Sequence, residues 1–194
     1  MKFLLSINFL LMSNINTMNV SWTGLTHPFH DSLEEAKVYV LAQKAKPNAW
    51  ADCPIFEVIS EDRTDMLDVI LNAKAPAYPI NECRKQISEP IHFSPIHWAI
   101  RKSRLKSMRC LLHYGSNINL STQSDYPEGR QTPLHLAIDY PITNNAILHL
   151  LLHEKANLDT TNGMGLTPYQ YALKYSKTDA AGIIKQWKEN DFKK

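Results

Sequence analysis

Apolar residues along most of this chain recur at helical spacing, in short blocks that each begin with a proline. After Pro54 come Ile55 and Val58-Ile59, then Met66-Leu67 and Val69-Ile70-Leu71. After Pro95 come Ile96 and Ala99-Ile100, then Met108 and Cys110-Leu111-Leu112. The third block runs from Pro133 through Ala137-Ile138 to Ile147-Leu148 and Leu150-Leu151-Leu152, and the fourth from Pro168 through Ala172-Leu173 to Ile183-Ile184. Two short apolar runs per block predict four pairs of short helices. Proline suits the first turn of a helix, where its missing N–H has no partner to lose. Ser94, Thr132 and Thr167 stand where a hydroxyl accepts from the first-turn amides. Upstream, Ser32 to Ala45 opens with a capping box, Ser32 and Glu35, and ends before Lys46-Pro47. This predicts one more helix, whose Leu33, Ala36, Val40 and Leu41 cover the first pair.

The blocks are copies of one another. Phe93 to Ile100 reads FSPIHWAI, Gln131 to Ile138 reads QTPLHLAI and Leu166 to Leu173 reads LTPYQYAL, with a fainter copy at Cys53 to Ile59; the prolines are 41, 38 and 35 residues apart. Turns of similar kind follow the second runs, at Tyr114 to Asn119 and Lys155 to Asp159. The composite of hydroxyl-Pro-Leu-His-x-Ala, an apolar second helix and a Gly-Ala-Asp-like turn resembles the ankyrin repeat, from about Ala51 to Asn190. That resemblance implies an all-α solenoid of helix-turn-helix units with short or extended hairpin loops, and a protein that binds partners rather than turning over a substrate. The resulting division is a poorly ordered leader (1–21), an N-terminal helical cap (22–50), four repeats (51–92, 93–130, 131–165 and 166–194), the last doubling as C-terminal cap. Cys53 and Phe56 in the first unit, and Gln170 in the last, depart from the pattern as end units do. His97 and His135 are expected to pin their helix starts to the neighbouring unit. Of the glycines that close second helices in left-handed backbone, only Gly115 remains; Lys74 and Lys155 occupy the matching places, at about 1 kcal/mol each.

Composition narrows the function classes. The chain has 194 residues, 21 basic against 19 acidic, and a formal net charge of +2, so no global field drives nucleic-acid binding. Three scattered cysteines make no disulfide framework and fit a reducing compartment. Phe3 to Met12 is apolar but too short to span a bilayer, and a secretory signal would lack its small-residue cleavage site there. The expected location is therefore the cytoplasm, or a host cell into which the protein is delivered, since compact chains of this kind occur among bacterial effectors and eukaryotic regulators; secretion is the lesser reading.

The chemistry of catalysis is hard to find. Cys110 and His113, or His149 and His153, have spacings that occur in metal sites, but no second ligand pair stands at standard distance, and packed thiols and solvated helix faces account for them. No nucleophile motif or phosphate loop is present, so no enzyme, cofactor or metal is expected. By segment, charge is uneven: Ala51 to Pro90 sums to −4 and Ile91 to Arg130 to +4. Arg101, Lys102, Arg104, Lys106 and Arg109 are one candidate nucleic-acid patch. Counted from each proline, however, Glu61, Asp65 and Asp68 match Lys102, Lys106 and Arg109, so stacking would pair them across the units, at about 0–1 kcal/mol per exposed pair.

Link length is the feature least explained by folding. Seven residues separate Asp159 from Thr167, but twelve separate Asn81 from Ser94 and Asn119 from Thr132. Repeats stacked in register then project two long hairpins side by side. The first carries Arg84, Lys85 and Ile87; the second carries Asp125, Tyr126, Glu128 and Arg130 around Pro127. Tyrosine and arginine are favoured binding anchors, and Arg101, Lys102, Asp139, Tyr140 and Lys174 continue the surface on the helices. The expected partner is a protein, bound by a monomer without nucleic acid or a membrane span. The alternatives are an adaptor or enzyme whose first 50 residues recruit ubiquitin machinery or carry the activity, and nucleic-acid binding through the cluster of the second repeat.

Overall fold

The computed structural model describes residues 55–72, 78–85, 91–140 and 145–191. The leader, the helix expected at 32–45, Lys74 and Ile87 lie outside the described residues. Within them the order is α1 (Ile55–Ser60), α2 (Thr64–Leu71), β1 (Arg84–Lys85), β2 (His92–Phe93), α3 (Pro95–Arg101), α4 (Leu105–His113), a 3-10 turn (Pro127–Gly129), α5 (Pro133–Asp139), α6 (Ala146–His153), α7 (Pro168–Lys174) and α8 (Thr178–Asp191). These are four helix pairs, as the periodicity predicts. The first helices stack α1 on α3, α3 on α5 and α5 on α7, and α2 packs on α4.

The helix starts follow from the octads. Pro95, Pro133 and Pro168 each open a helix behind an extended Ser94, Thr132 or Thr167. Thr167 accepts from the Gln170 amide, whereas Ser94 and Thr132 give their hydroxyl protons to His97 and His135 Nδ1, at 2.8 and 2.7 Å. The other ring nitrogens reach the carbonyls of Leu120 and Leu166, at 2.7 and 2.9 Å. A carbonyl only accepts, so each ring carries a proton on Nε2, and burial, which lowers both pKa values, keeps the ring neutral with Nδ1 free to accept. Each histidine thus joins its helix start to the link that leads into the next unit.

Burial holds the units together. Ile96, Ile100, Met108, Leu111, Leu148 and Leu151 are fully out of solvent, and Ala99, Ala137 and Ala172 let the first helices approach closely. Burying one such aliphatic side chain contributes about 1.5–3 kcal/mol. The contribution depends on neighbours: Ile100 and Ile138 are 0% and 1% exposed, yet Leu173, at the same place in the fourth unit, is 55% exposed, with no fifth unit among the described residues to cover it.

A polar ladder runs beside the core. Asn81 Oδ1 accepts from the Asn117 amide and Asn119 Oδ1 from the Asn157 amide, at 2.7 and 2.8 Å. Asp159 continues the series to Lys188 on α8, at 3.0 Å. Trp98 Nε1 donates to Ser60 Oγ and the Phe56 carbonyl in the preceding unit. Asp62 accepts from both the amide and the hydroxyl of Ser107, so the first unit caps α4 of the second.

Two expectations change here. The exposed charge ladder does not form as read: Asp65 pairs with Arg63 in its own unit at 3.0 Å, Asp68 takes the Tyr114 hydroxyl, and Lys102 lies over Trp98. The left-handed positions also extend beyond Gly115 and Lys155. Asp62, Ser103, Asn145 and Ser176, all in helix-to-helix turns, have φ between 56° and 61° without a glycine among them.

Candidate functional site

The expected fingers exist and are joined. In the first, Arg84 pairs with Phe93 and Lys85 with His92 in antiparallel register. His92 then exchanges backbone hydrogen bonds with Gln123 in the second finger, at 2.8 and 3.1 Å. Across that finger the Thr122 amide donates to Gln131, and the Gly163 amide of the short third link donates to Arg130. Three consecutive links therefore form one backbone ladder. Its approach depends on Gly163, where an added Cβ collides with the Pro127 carbonyl and stands 2.9 Å from Arg130 Cβ.

The second finger is held from inside. Thr122 donates its hydroxyl to the Gly129 carbonyl and accepts from the Gln131 amide. Arg130 Nε donates to the Ser124 carbonyl at 2.9 Å, closing the loop around the 3-10 turn. Tyr126 is left at the tip, 66% exposed, with Asp125 and Glu128 exposed beside it. An aromatic ring presented on a fixed loop loses little entropy on binding.

Where the first helices end, a second group of predicted residues converges. The Arg101 guanidinium lies 5.2 Å from the Phe93 ring and 5.9 Å from that of Tyr140. Lys102 Nζ is 4.7 Å from the Trp98 ring and Lys174 Nζ 5.6 Å from that of Tyr175. Asp139 accepts from the Tyr171 hydroxyl at 2.7 Å and from Gln131 at 3.3 Å, tying the second finger to α5 and α7. Burial and this carboxylate push the Tyr171 hydroxyl well above the usual tyrosine range, so it stays protonated.

Not every candidate is placed as an anchor. Arg84 is half-buried, 3.7 Å from Glu82 and over the Tyr78 ring, so it supports the first finger. Lys85 lies in β1, and Ile87 falls outside the described residues. Conversely, Trp98, Tyr175 and Met164 join this surface without having been singled out; the Tyr175 ring lies 4.6 Å from that of Tyr171, tilted by 49°, and its hydroxyl reaches Met164 Sδ in the third link. Counting from the prolines would have found two of them: Trp98 matches Tyr171, and Tyr175 matches Lys102 and Tyr140.

On the opposite face, Arg109, His149 and His153 border a shallow groove between α4 and α6. His153 packs edge-on against Trp187, which thereby helps seal the last repeat. Among the described residues no three His, Cys, Asp or Glu side chains group as metal ligands, and no helix is long and apolar enough to cross a membrane. Cys83 and Cys110 are free thiols; burial raises both pKa values, that of Cys110 to about 11.

Comparison with known proteins agrees with the repeat architecture. A family model described as ankyrin repeat matches residues 92–123 and 130–163. The chain is similar to mouse rabankyrin-5, 34% identical over 92 residues, which are 47% of this chain and 7% of that protein. It is 33% identical over 95 residues to the NF-kappa-B inhibitor cactus of Drosophila melanogaster, covering 47% of this chain and 17% of that protein. The chain thus spans only a small part of the curated relatives it matches.

Proposed function

This chain carries ankyrin repeats, and from that premise we propose that it is a monomeric, non-enzymatic module that binds a partner protein through the joined fingers and the adjoining ends of the first helices. Ankyrin repeats in general mediate protein-protein interaction, and cactus is by its name an inhibitor of another protein. The observation that carries the finer reading is Tyr126, two-thirds exposed on a loop braced by Arg130 and welded through its backbone to both neighbouring links. Tyr126, Asp125 and Glu128 form the outer contacts; Arg101, Lys102, Tyr140 and Lys174 form the inner ones. Arg130 and Asp139 act chiefly by holding the second finger in place.

The free thiols suit a reducing interior. The proposed site of action is accordingly inside a cell, that of the producer or of a host that receives the protein as an effector. A crosslinking pull-down tests the binding surface. Wild-type protein is compared with a Tyr126→Ala, Arg130→Ala variant, with folding checked by circular dichroism. Capture of one protein by the wild type and its loss from the variant supports the fingers. Equal capture by both moves the interface elsewhere.

A further inference from the structure

We infer that the partner segment received by this surface is acidic and carries apolar side chains, lying along Trp98, Arg101, Lys102, Tyr140, Lys174 and Tyr175; this rests on the protein-binding reading above. The three cations of this row are placed over rings: Arg101 over Phe93 and Tyr140, Lys102 over Trp98, Lys174 over Tyr175. A ring face holds a cation without neutralising it. Neither Lys102 nor Lys174 has a carboxylate partner among the described residues. Among the described residues two carboxylates belong to this row by register: Asp139 is already committed to Tyr171 and Gln131, and Glu61, which matches Lys102 one unit earlier, is itself engaged. A partner carboxylate reaching Lys102 or Lys174 meets a cation already positioned over a ring, which lowers the ordering cost of forming the pair. The apolar half of the match comes from Tyr175, 43% exposed, and from the partly exposed rings of Trp98 and Tyr140.

The probe is a fluorescein-labelled copolymer of glutamate and tyrosine, followed by anisotropy against a lysine-tyrosine copolymer and an oligothymidylate. Binding of the glutamate copolymer is expected to weaken with salt and to fall about tenfold in the Lys102→Glu, Lys174→Glu variant, because each reversal replaces attraction by repulsion. The Lys106→Glu, Arg109→Glu variant, altered on the second helix of its repeat, is expected to change it less than about twofold. Equal losses in the two variants, tighter binding of oligothymidylate, or no binding of the glutamate copolymer each overturn the inference. Failure here is separable from failure of the binding surface. If the finger variant loses its captured protein while copolymer binding ignores Lys102 and Lys174, the surface stands and the acidic segment falls.

Discussion

Lowering the pH from 7 to 5 should destabilise this protein through His97. Its Nε2 donates to the Leu120 carbonyl, and its Nδ1 accepts from the hydroxyl and amide of Ser94, at 2.8 and 3.3 Å. A second ring proton would have to face those two donors inside the core. Burial, opposed only by the Leu120 carbonyl, brings the pKa from 6.5 down to about 4. Above pH 6.5 folded and unfolded chains are both neutral at this residue. Between 6.5 and 4 only the unfolded chain takes up the proton, so stability falls as pH falls, by about 1.4 kcal/mol per pH unit in the steep part. Integrated from pH 7 to 5, the loss is about 2 kcal/mol. His135, also lowered by burial, adds loss in the same direction. The assay is urea unfolding at pH 7, 6 and 5, comparing wild type with His97→Gln. Glutamine is suitable because Gln170 already holds this place in the last unit, accepting from the Thr167 amide at 3.0 Å. The variant should lose about 1 kcal/mol at pH 7 for the missing Nε2 bond and then decline less steeply with acid. Parallel pH dependence in the two proteins refutes the reasoning.

Five further substitutions follow from the same geometry. Ser103→Gly and Ser176→Gly each relieve a left-handed residue and should raise stability by about 1 kcal/mol. Asp62→Gly, despite its φ of 56°, should lower stability because Asp62 also caps α4; urea midpoints measure all three. Asn119→Ala removes the acceptor of the Asn157 amide, and should cost about 1 kcal/mol and speed hydrogen exchange at that amide. Gly163→Ala drives a methyl into the Pro127 carbonyl, so it should cost about 1–3 kcal/mol and open the second finger, seen as faster exchange at Gly129 and Gln131.

The repeat architecture was legible because its determinants are local. A hydroxyl-proline pair starts a helix, alanine permits close packing, and the histidine between them has one geometry available. Finger adjacency was legible from counting alone, since two links of equal length on stacked units must lie side by side, and the His92–Gln123 exchange shows that they do. Register, however, gives neighbours and not rotamers. Register points Asp68 toward the second unit, but Tyr114, at the end of α4, reaches it; the hairpin spacing offers Arg84 as an anchor, but Glu82 two residues away engages it. The left-handed turns at Asp62, Ser103, Asn145 and Ser176 carry no glycine to announce them, because packing of the flanking helices imposes their conformation. The aromatic row was legible only in part: it is spread over three units, one or two rings from each.

Site-specific photo-crosslinking measures most directly which face of the solenoid receives a partner. A benzophenone side chain is introduced in place of Tyr126, of Lys102, or of Arg109 on the opposite face, and adducts formed with the same captured protein are mapped by mass spectrometry. The account predicts adducts from positions 126 and 102 and none from 109. Adducts from 109 alone contradict it.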